Sequence, residues 1–252
     1  MSDKEIKSVN GTKEKVLSGL FWTFGERILA QGVSFILSII LARILLPSEY
    51  GIIAMVMVFI NIANVFTSTG FGEALVQKKD ADELDFSTVF FCTLSLSIVI
   101  YIILFVGAPY IAEFYHTKEI IWVLRILSIK IVLSSIATVQ HAYVQKRMIF
   151  KKFFFSTLGG TVVSGVLGII LAYSGFGVWA LVVQYLTNTI IDILVLLKTV
   201  PWHPKLMFSV ERAKQLMDFG WKLVFSNLIN AVYNELRSLI IGRSYSSADL
   251  AY

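Results

Sequence analysis

The chain has 252 residues, 56% of them hydrophobic and 15% charged, with a formal net charge of +5 and a mean hydropathy of +0.75. Soluble globular domains are typically about half apolar and about a quarter charged, so this balance excludes an ordinary soluble enzyme and points to an integral membrane protein. A single cysteine, Cys92, sits in an apolar run; it excludes an internal disulfide and reads as a small core hydrophobe.

Residues 1–15 are polar and mixed in charge, and form a short tail. The apolar run that follows is too long for a signal-peptide core and no small-x-small cleavage site comes after it, so the run is read as a retained helix. Apolar runs place spans at 20–42, 51–71, 87–107, 120–140, 154–174, 177–197 and 221–243. They are continuous rather than alternating and far longer than a barrel strand of about ten residues. The expected fold is therefore an all-α, polytopic transmembrane bundle of about seven helices. It divides into a tail (1–15), a six-helix lobe (16–197), a linker (198–220) and a seventh helix (221–252). Within that linker, residues 206–218 are amphipathic and are expected to lie as an interfacial helix.

Turn residues agree with these boundaries. LPSEYG (46–51) offers Pro47 and then Ser48 as an N-cap. YSGFGVW (173–179) reads as a glycine hairpin; its Gly175, Gly177 and Ala180 spell G-x-G-x-x-A, but no strand precedes it and no acid follows at the distance a dinucleotide site needs. Gly160, Ser164, Gly168 and Ala172 recur every four residues, a stripe that lets a neighbouring helix come close.

Direction follows from the bases. The tail holds four Lys, the 72–86 loop two, the 141–153 loop four Lys or Arg and the 198–220 loop four, against one, one and none in the three loops of the opposite side. Basic residues in short loops stay cytoplasmic. The N-terminus is thus expected inside the cell, and the positive charge reads as topology, with no nucleic-acid partner.

Polar residues then stand out inside the spans. GERILAQ (25–31) opens a stripe of Arg27, Gln31, Ser34 and Ser38 on one helix face. The second span has Asn61, Asn64 and Ser68. The sixth has Gln184, Asn188 and Asp192. The seventh has Asn227, Asn230, Asn234 and Arg237 with Glu235 beside them, and Lys130 lies near the middle of the fourth. Two readings stay open: interhelical amide glue, or a hydrated cavity of the kind that intramembrane ionisable groups usually mark. On the cavity reading, Arg27, Lys130, Arg237, Gln31, Asn61, Asn64, Asn188, Asn230 and Asn234 are substrate-binding candidates, the cations matching a phosphate. Asp192, Glu235 and Glu26 are then candidates for coupling H+ or Na+. Snorkelling or structural ion pairs compete for Arg27, Lys130 and Arg237, charge-pairing within the bundle competes for Asp192 and Glu235, and Arg43, at the outer helix end, reads as snorkelling. His141 and His203 read as isolated, and the loops opposite the basic side hold no cluster beyond Glu113, His116 and Glu119. Neither a metal site nor a nucleophile motif is visible, so no cofactor and no covalent chemistry are expected.

The stretches GLFWTFGERILAQGVSFILSIILARILLPSEYG, FTSTGFGEALVQKKD (66–80), STVFF (87–91), APYIAEFY (108–115), HAYVQKRMIFKK (141–152) and GFGVWALVVQYL (175–186) together resemble bacterial Wzx-like polysaccharide flippases, the lipopolysaccharide, O-antigen and exopolysaccharide branch of the MOP exporter superfamily. The resemblance runs from about residue 16 to 252. It implies two pseudo-symmetric lobes of six helices and a cavity with cations for a diphosphate, here Arg27, Lys130 and Arg237. The cargo it implies is an undecaprenyl-diphosphate-linked oligosaccharide crossing the bacterial inner (plasma) membrane. Membrane lipids, a coupling H+ or Na+ and the polysaccharide polymerase machinery would be the partners. Only the first lobe and the start of a second are legible here, so the expectation is either a fragment or a chain that works with a second copy. A cation-coupled multidrug exporter of the same superfamily, a membrane-embedded polymerase or ligase, and a non-transporting scaffold are the rival readings.

Overall fold

A computed structural model describes residues 24–25, 28–147, 149 and 151–244, with the side chains of all of these except 151–156, 237 and 241–244. The helices are α1 (Ile28–Ile44), α2 (Pro47–Asn64), a π-helical turn (Val65–Thr69), α3 (Gly70–Gln77), α4 (Glu83–Phe114), α5 (Ile120–Leu127), α6 (Ile129–Arg147), α7 (Lys151–Tyr173), α8 (Val178–Thr199) and α9 (Val210–Ser244). No strand occurs among the described residues. The all-α bundle expected from the apolar runs is what forms.

Four helical stretches are long and apolar enough to cross a membrane: Pro47–Gln77, Glu83–Phe114, Ile120–Arg147 and Val178–Thr199. Ile28–Ile44 and Thr157–Tyr173 are shorter apolar helices. The seventh expected span differs. Val210–Ser244 is one 35-residue helix, so the amphipathic segment and the last apolar run are continuous, with no break near Gly220. It is not among the sufficiently apolar helices, because Asn227, Asn230, Asn234, Glu235 and Arg237 dilute its Leu and Ile.

Local chemistry explains several boundaries. Helix α2 starts at Pro47, earlier than a Ser48 cap implies. Pro47 fits the first helical position, and the Glu49 carboxylate accepts the Leu46 N–H at 2.8 Å. The turn between α7 and α8 needs φ values of +80° at Gly175 and +55° at Gly177, which only glycine adopts without strain; that is what the glycine pattern there encodes. The fourth span is broken at Ser128 into α5 and α6. Its Arg125 donates to the Phe105 carbonyl at 3.2 Å and stacks 4.5 Å from the Phe105 ring centroid, so its charge is met by α4.

Two apolar cores form. The first gathers Leu41, Met55, Ile60, Leu124, Leu127, Ile131 and Leu181. The second, towards the lysine-rich end, gathers Phe71, Leu75, Phe86, Val139, Leu196 and Trp202. Near the second core α3 and α9 cross backbone to backbone: a Cβ on Gly70 would meet Val224 Cγ2 at 2.7 Å, and one on Gly220 would run into the Gly70 carbonyl.

The lysine-rich end is closed by ion pairs. Asp85, fully buried, takes Lys78 at 2.7 Å and Arg212 at 3.3 Å. Asp82 and Asp85 form a reciprocal cap at the start of α4: the Asp85 N–H donates to Asp82 Oδ1 at 2.9 Å and the Asp82 N–H to Asp85 Oδ2 at 3.2 Å. Lys205 pairs with Glu83, the Lys205 N–H donates to Ser87 Oγ at 3.3 Å, and the Ser209 N–H donates to Thr88 Oγ1 at 3.2 Å. These contacts fasten the 200–209 segment and the start of α9 onto α4.

Candidate functional site

Between α1, α6, α7 and α8 lies a polar cavity of about 280 Å³. Ser34 and Ser38 face it from α1, Lys130 from α6, Thr161 and Ser164 from α7, and Gln184, Tyr185 and Asn188 from α8, with Tyr50 at its edge. The spacing of three and four residues within each set is what puts these side chains on one helix face. Lys130 is the one charged residue among the described lining. Its Nζ stands 5.1 Å from the Tyr185 ring centroid, within cation–π range, and it makes no ion pair among the described residues. Tyr50 Oη is buried and has no hydrogen-bond partner among them. A lone cation ringed by hydroxyls and amides can accept an anion without first breaking a salt bridge.

The small-residue stripe of α7 builds one wall. Gly160 sits against the Asn188 carbonyl and Gly168 against Gln184, where an added Cβ would lie 3.1 and 3.2 Å away. Asn188 Nδ2 reaches Ser164 Oγ at 3.5 Å. The stripe brings the backbones of α7 and α8 together and thereby sets the cavity width.

Other expected site residues go elsewhere. Asn61 donates to Glu235 Oε1 at 2.8 Å, tying α2 to α9. Asp192 pairs with His141 Nε2 at 3.0 Å; this corrects the reading of His141 as isolated, since α6 and α8 pack side by side and bring the two together. Asn64 ends α2, its Oδ1 buried without a partner among the described residues, while its carbonyl takes the hydroxyls of Thr67 and Ser68 in the π-helical turn. Gln31 is exposed on α1 and lies outside the cavity lining; Asn230 and Asn234 are exposed on α9. Glu26 and Arg27, and the Arg237 side chain, fall outside the described residues. Among the described residues the four stripes thus do not merge into one cavity: part of them lines the Lys130 cavity, Asn61 and Asp192 make the links to Glu235 and His141, and Gln31, Asn230 and Asn234 stay exposed.

Sequence inspection missed Tyr50, Tyr185 and Thr161 as lining residues. Tyr185 follows Gln184 directly, and Thr161 precedes Ser164 by three, so helical spacing from residues already singled out would have found both. Tyr50 carries no such signal, because it reaches the cavity from the first turn of another helix.

Comparison with known proteins places this architecture. The family model described as "Polysaccharide biosynthesis protein" matches residues 40–252. The chain belongs to this family. It is 25% identical over 228 residues to the succinoglycan biosynthesis transport protein ExoT of Rhizobium meliloti (strain 1021), covering 90% of this chain and 46% of that protein. It is 25% identical over 237 residues to the teichuronic acid biosynthesis protein TuaB of Bacillus subtilis (strain 168), covering 91% and 48%. With the lipopolysaccharide biosynthesis protein WzxC of Escherichia coli (strain K12) it shares 23% identity over 238 residues, covering 92% and 47%. The chain therefore spans about half the length of the curated relatives it matches. Among solved structures, the inward-facing conformation of a multidrug resistance MATE family transporter of the MOP superfamily matches with a TM-score of 0.58 at 16% identity, covering 90% of this chain and 55% of that one. That likeness shows the fold alone: a polytopic helical bundle like that of the transporter.

Proposed function

We propose that this chain forms one lobe of a flippase for undecaprenyl-diphosphate-linked oligosaccharide in the bacterial plasma membrane, with the N-terminus cytoplasmic. The observation that carries the reading is the cavity of about 280 Å³ in which Lys130 faces only neutral groups among the described lining. A diphosphate needs a cation and several donors held in place, and Lys130, Asn188, Gln184 and the cavity hydroxyls are of that kind. Arg27 and Arg237 are further candidates for the phosphate. The two-state cavity works by alternating access, without covalent chemistry. H+ or Na+, acting through Asp192, Glu235 or Glu26, is the proposed coupling ion, and the polymerase machinery the proposed recipient. In support, three relatives carry polysaccharide names. The rival multidrug exporter would take organic cations, for which a cavity whose only described charge is a lysine is a poor host.

The test is transport of the lipid-linked oligosaccharide in vesicles that contain the full-length protein. Lys130→Ala is expected to cut the initial rate about ten-fold or more, a loss of about 1.4 kcal/mol, with Lys130→Arg retaining much of it. No transport by the unaltered protein would overturn the flippase reading, and undiminished transport by Lys130→Ala at equal protein level would overturn the role given to Lys130.

A further inference from the structure

A second cleft, of about 240 Å³, opens between the π-helical turn with α3 on one side and α6 on the other. Its polar lining is Ser68, Thr69, Glu73, Thr138, His141 and Gln145. Gly72 brings the two walls together: a Cβ there would meet Thr138 Cγ2 at 2.9 Å. The cleft is the chemical opposite of the Lys130 cavity. It holds a carboxylate, Glu73, with no ion pair or hydrogen bond among the described residues, and a second carboxylate, Asp192, stands behind it on His141 at 3.0 Å. Ser68 and Thr138 already donate their hydroxyl protons to the carbonyls of Asn64 and Ser134, so their oxygens face outwards as acceptors. Gln145 supplies both donor and acceptor.

The two pockets share helix α6. Lys130 and His141 are eleven residues apart on α6, which is about three turns and about 16 Å along one face. On α8, Gln184 and Asn188 line the Lys130 cavity and Asp192, one turn on, holds His141. One seam between α6 and α8 thus runs from Lys130 to the His141–Asp192 pair.

We infer that the Glu73–His141–Gln145 cleft is a subsite for a neutral sugar ring of the cargo, while the Lys130 cavity takes its phosphate. The inference rests on the proposed flippase function. A phosphate is repelled by Glu73 and Asp192, and an isoprenyl chain gains nothing from a polar lining. A polyol, rich in O–H donors, matches a cleft rich in acceptors, and its volume is on the scale of a single pyranose.

Cys92, the one cysteine of this sequence, lies on α4 outside this cleft; it is replaced by Ala, together with any cysteine in the rest of the full-length protein. Gln145→Cys and, on the same helix, Thr138→Cys are then introduced separately into the full-length protein and labelled with a small maleimide. The two probes are the lipid-linked oligosaccharide extracted from the parent cells and undecaprenyl diphosphate without sugar. The sugar-bearing lipid is expected to slow labelling at both positions severalfold, and the sugarless lipid to leave it unchanged. Equal protection by both lipids, or by neither, overturns the subsite. Protection by Na+ against choline without any lipid also overturns it and makes the cleft a cation site. Independently, Glu73→Gln is expected to raise KM for the sugar-bearing lipid about ten-fold, the loss of one charge-assisted hydrogen bond, and an unchanged KM counts against the inference. Transport by the unaltered protein is measured alongside: its absence defeats the flippase reading, whereas labelling reports on sugar binding directly.

Discussion

Asp85 and Lys130 are both taken out of bulk water, and they are treated in opposite ways. Asp85 is wholly buried and saturated: two cations and the Asp82 N–H of the reciprocal cap use up its oxygens. Lys130 meets a ring face, hydroxyls and amides, with no carboxylate against it among the described residues. A charge whose partners are all built in holds elements together, and removing it leaves the partners stranded. A charge met only by neutral groups holds nothing together that an apolar residue could not, and it stays open to a ligand.

The comparison can be broken most forcefully at Asp85. Asp85→Ala strands Lys78 and Arg212 and removes half of the α4 cap. The expected loss is about 3 kcal/mol, the low end for a broken buried pair because both cations are partly exposed, read as a lowered thermal midpoint in detergent. Next in size is Gly220→Leu, whose side chain must displace the Gly70 backbone. About 2 kcal/mol is expected from overpacking of this kind, with α9 splayed from α3, seen as faster proteolysis or thiol labelling along α9. The opposite arm is Lys130→Met. Replacing a charge by an apolar side chain of similar length is expected to leave the thermal midpoint unchanged or raised while transport falls; a midpoint drop as large as that of Asp85→Ala would erase the distinction. The smallest effect belongs to pH. The Asp85 N–H donating to its carboxylate, helped by Arg212, holds the Asp82 pKa below the ordinary carboxylate value against a smaller opposing effect of burial. A depressed folded pKa contributes stability that is complete above the ordinary carboxylate range and is lost as pH falls through the folded value. Asp82 is half exposed, so the effect is small. In Asp82→Asn, which keeps an N-cap side chain, that part of the acid dependence is expected to vanish.

Much of the fold was legible. Span positions followed from apolar run length, and the glycine hairpin from its turn residues. The α7 stripe read as a surface for close approach, and α8 lies on it. The candidate site was only partly legible. Ser34, Ser38, Lys130, Gln184 and Asn188 stood on polar helix faces and do line one cavity. Asn61 and Asp192 stood on equally polar faces, yet their partners are Glu235, 174 residues away, and His141, 51 residues away. Helical periodicity says which side chains share a face, but not which other face they meet. The buried Asp85 cluster was not legible at all, because QKKDADELDF reads as a solvated charge run until α9 lays Arg212 over it.

By itself, then, the sequence determined that this chain is a helical membrane bundle, where most of its helices run, and which faces are polar, because hydrophobic run length and helical period are local properties. Only the tertiary structure decided that those faces divide into a cationic cavity, an acidic cleft and two interhelical links. Pairing between helices distant in the chain depends on how they pack, and no local pattern carries that information.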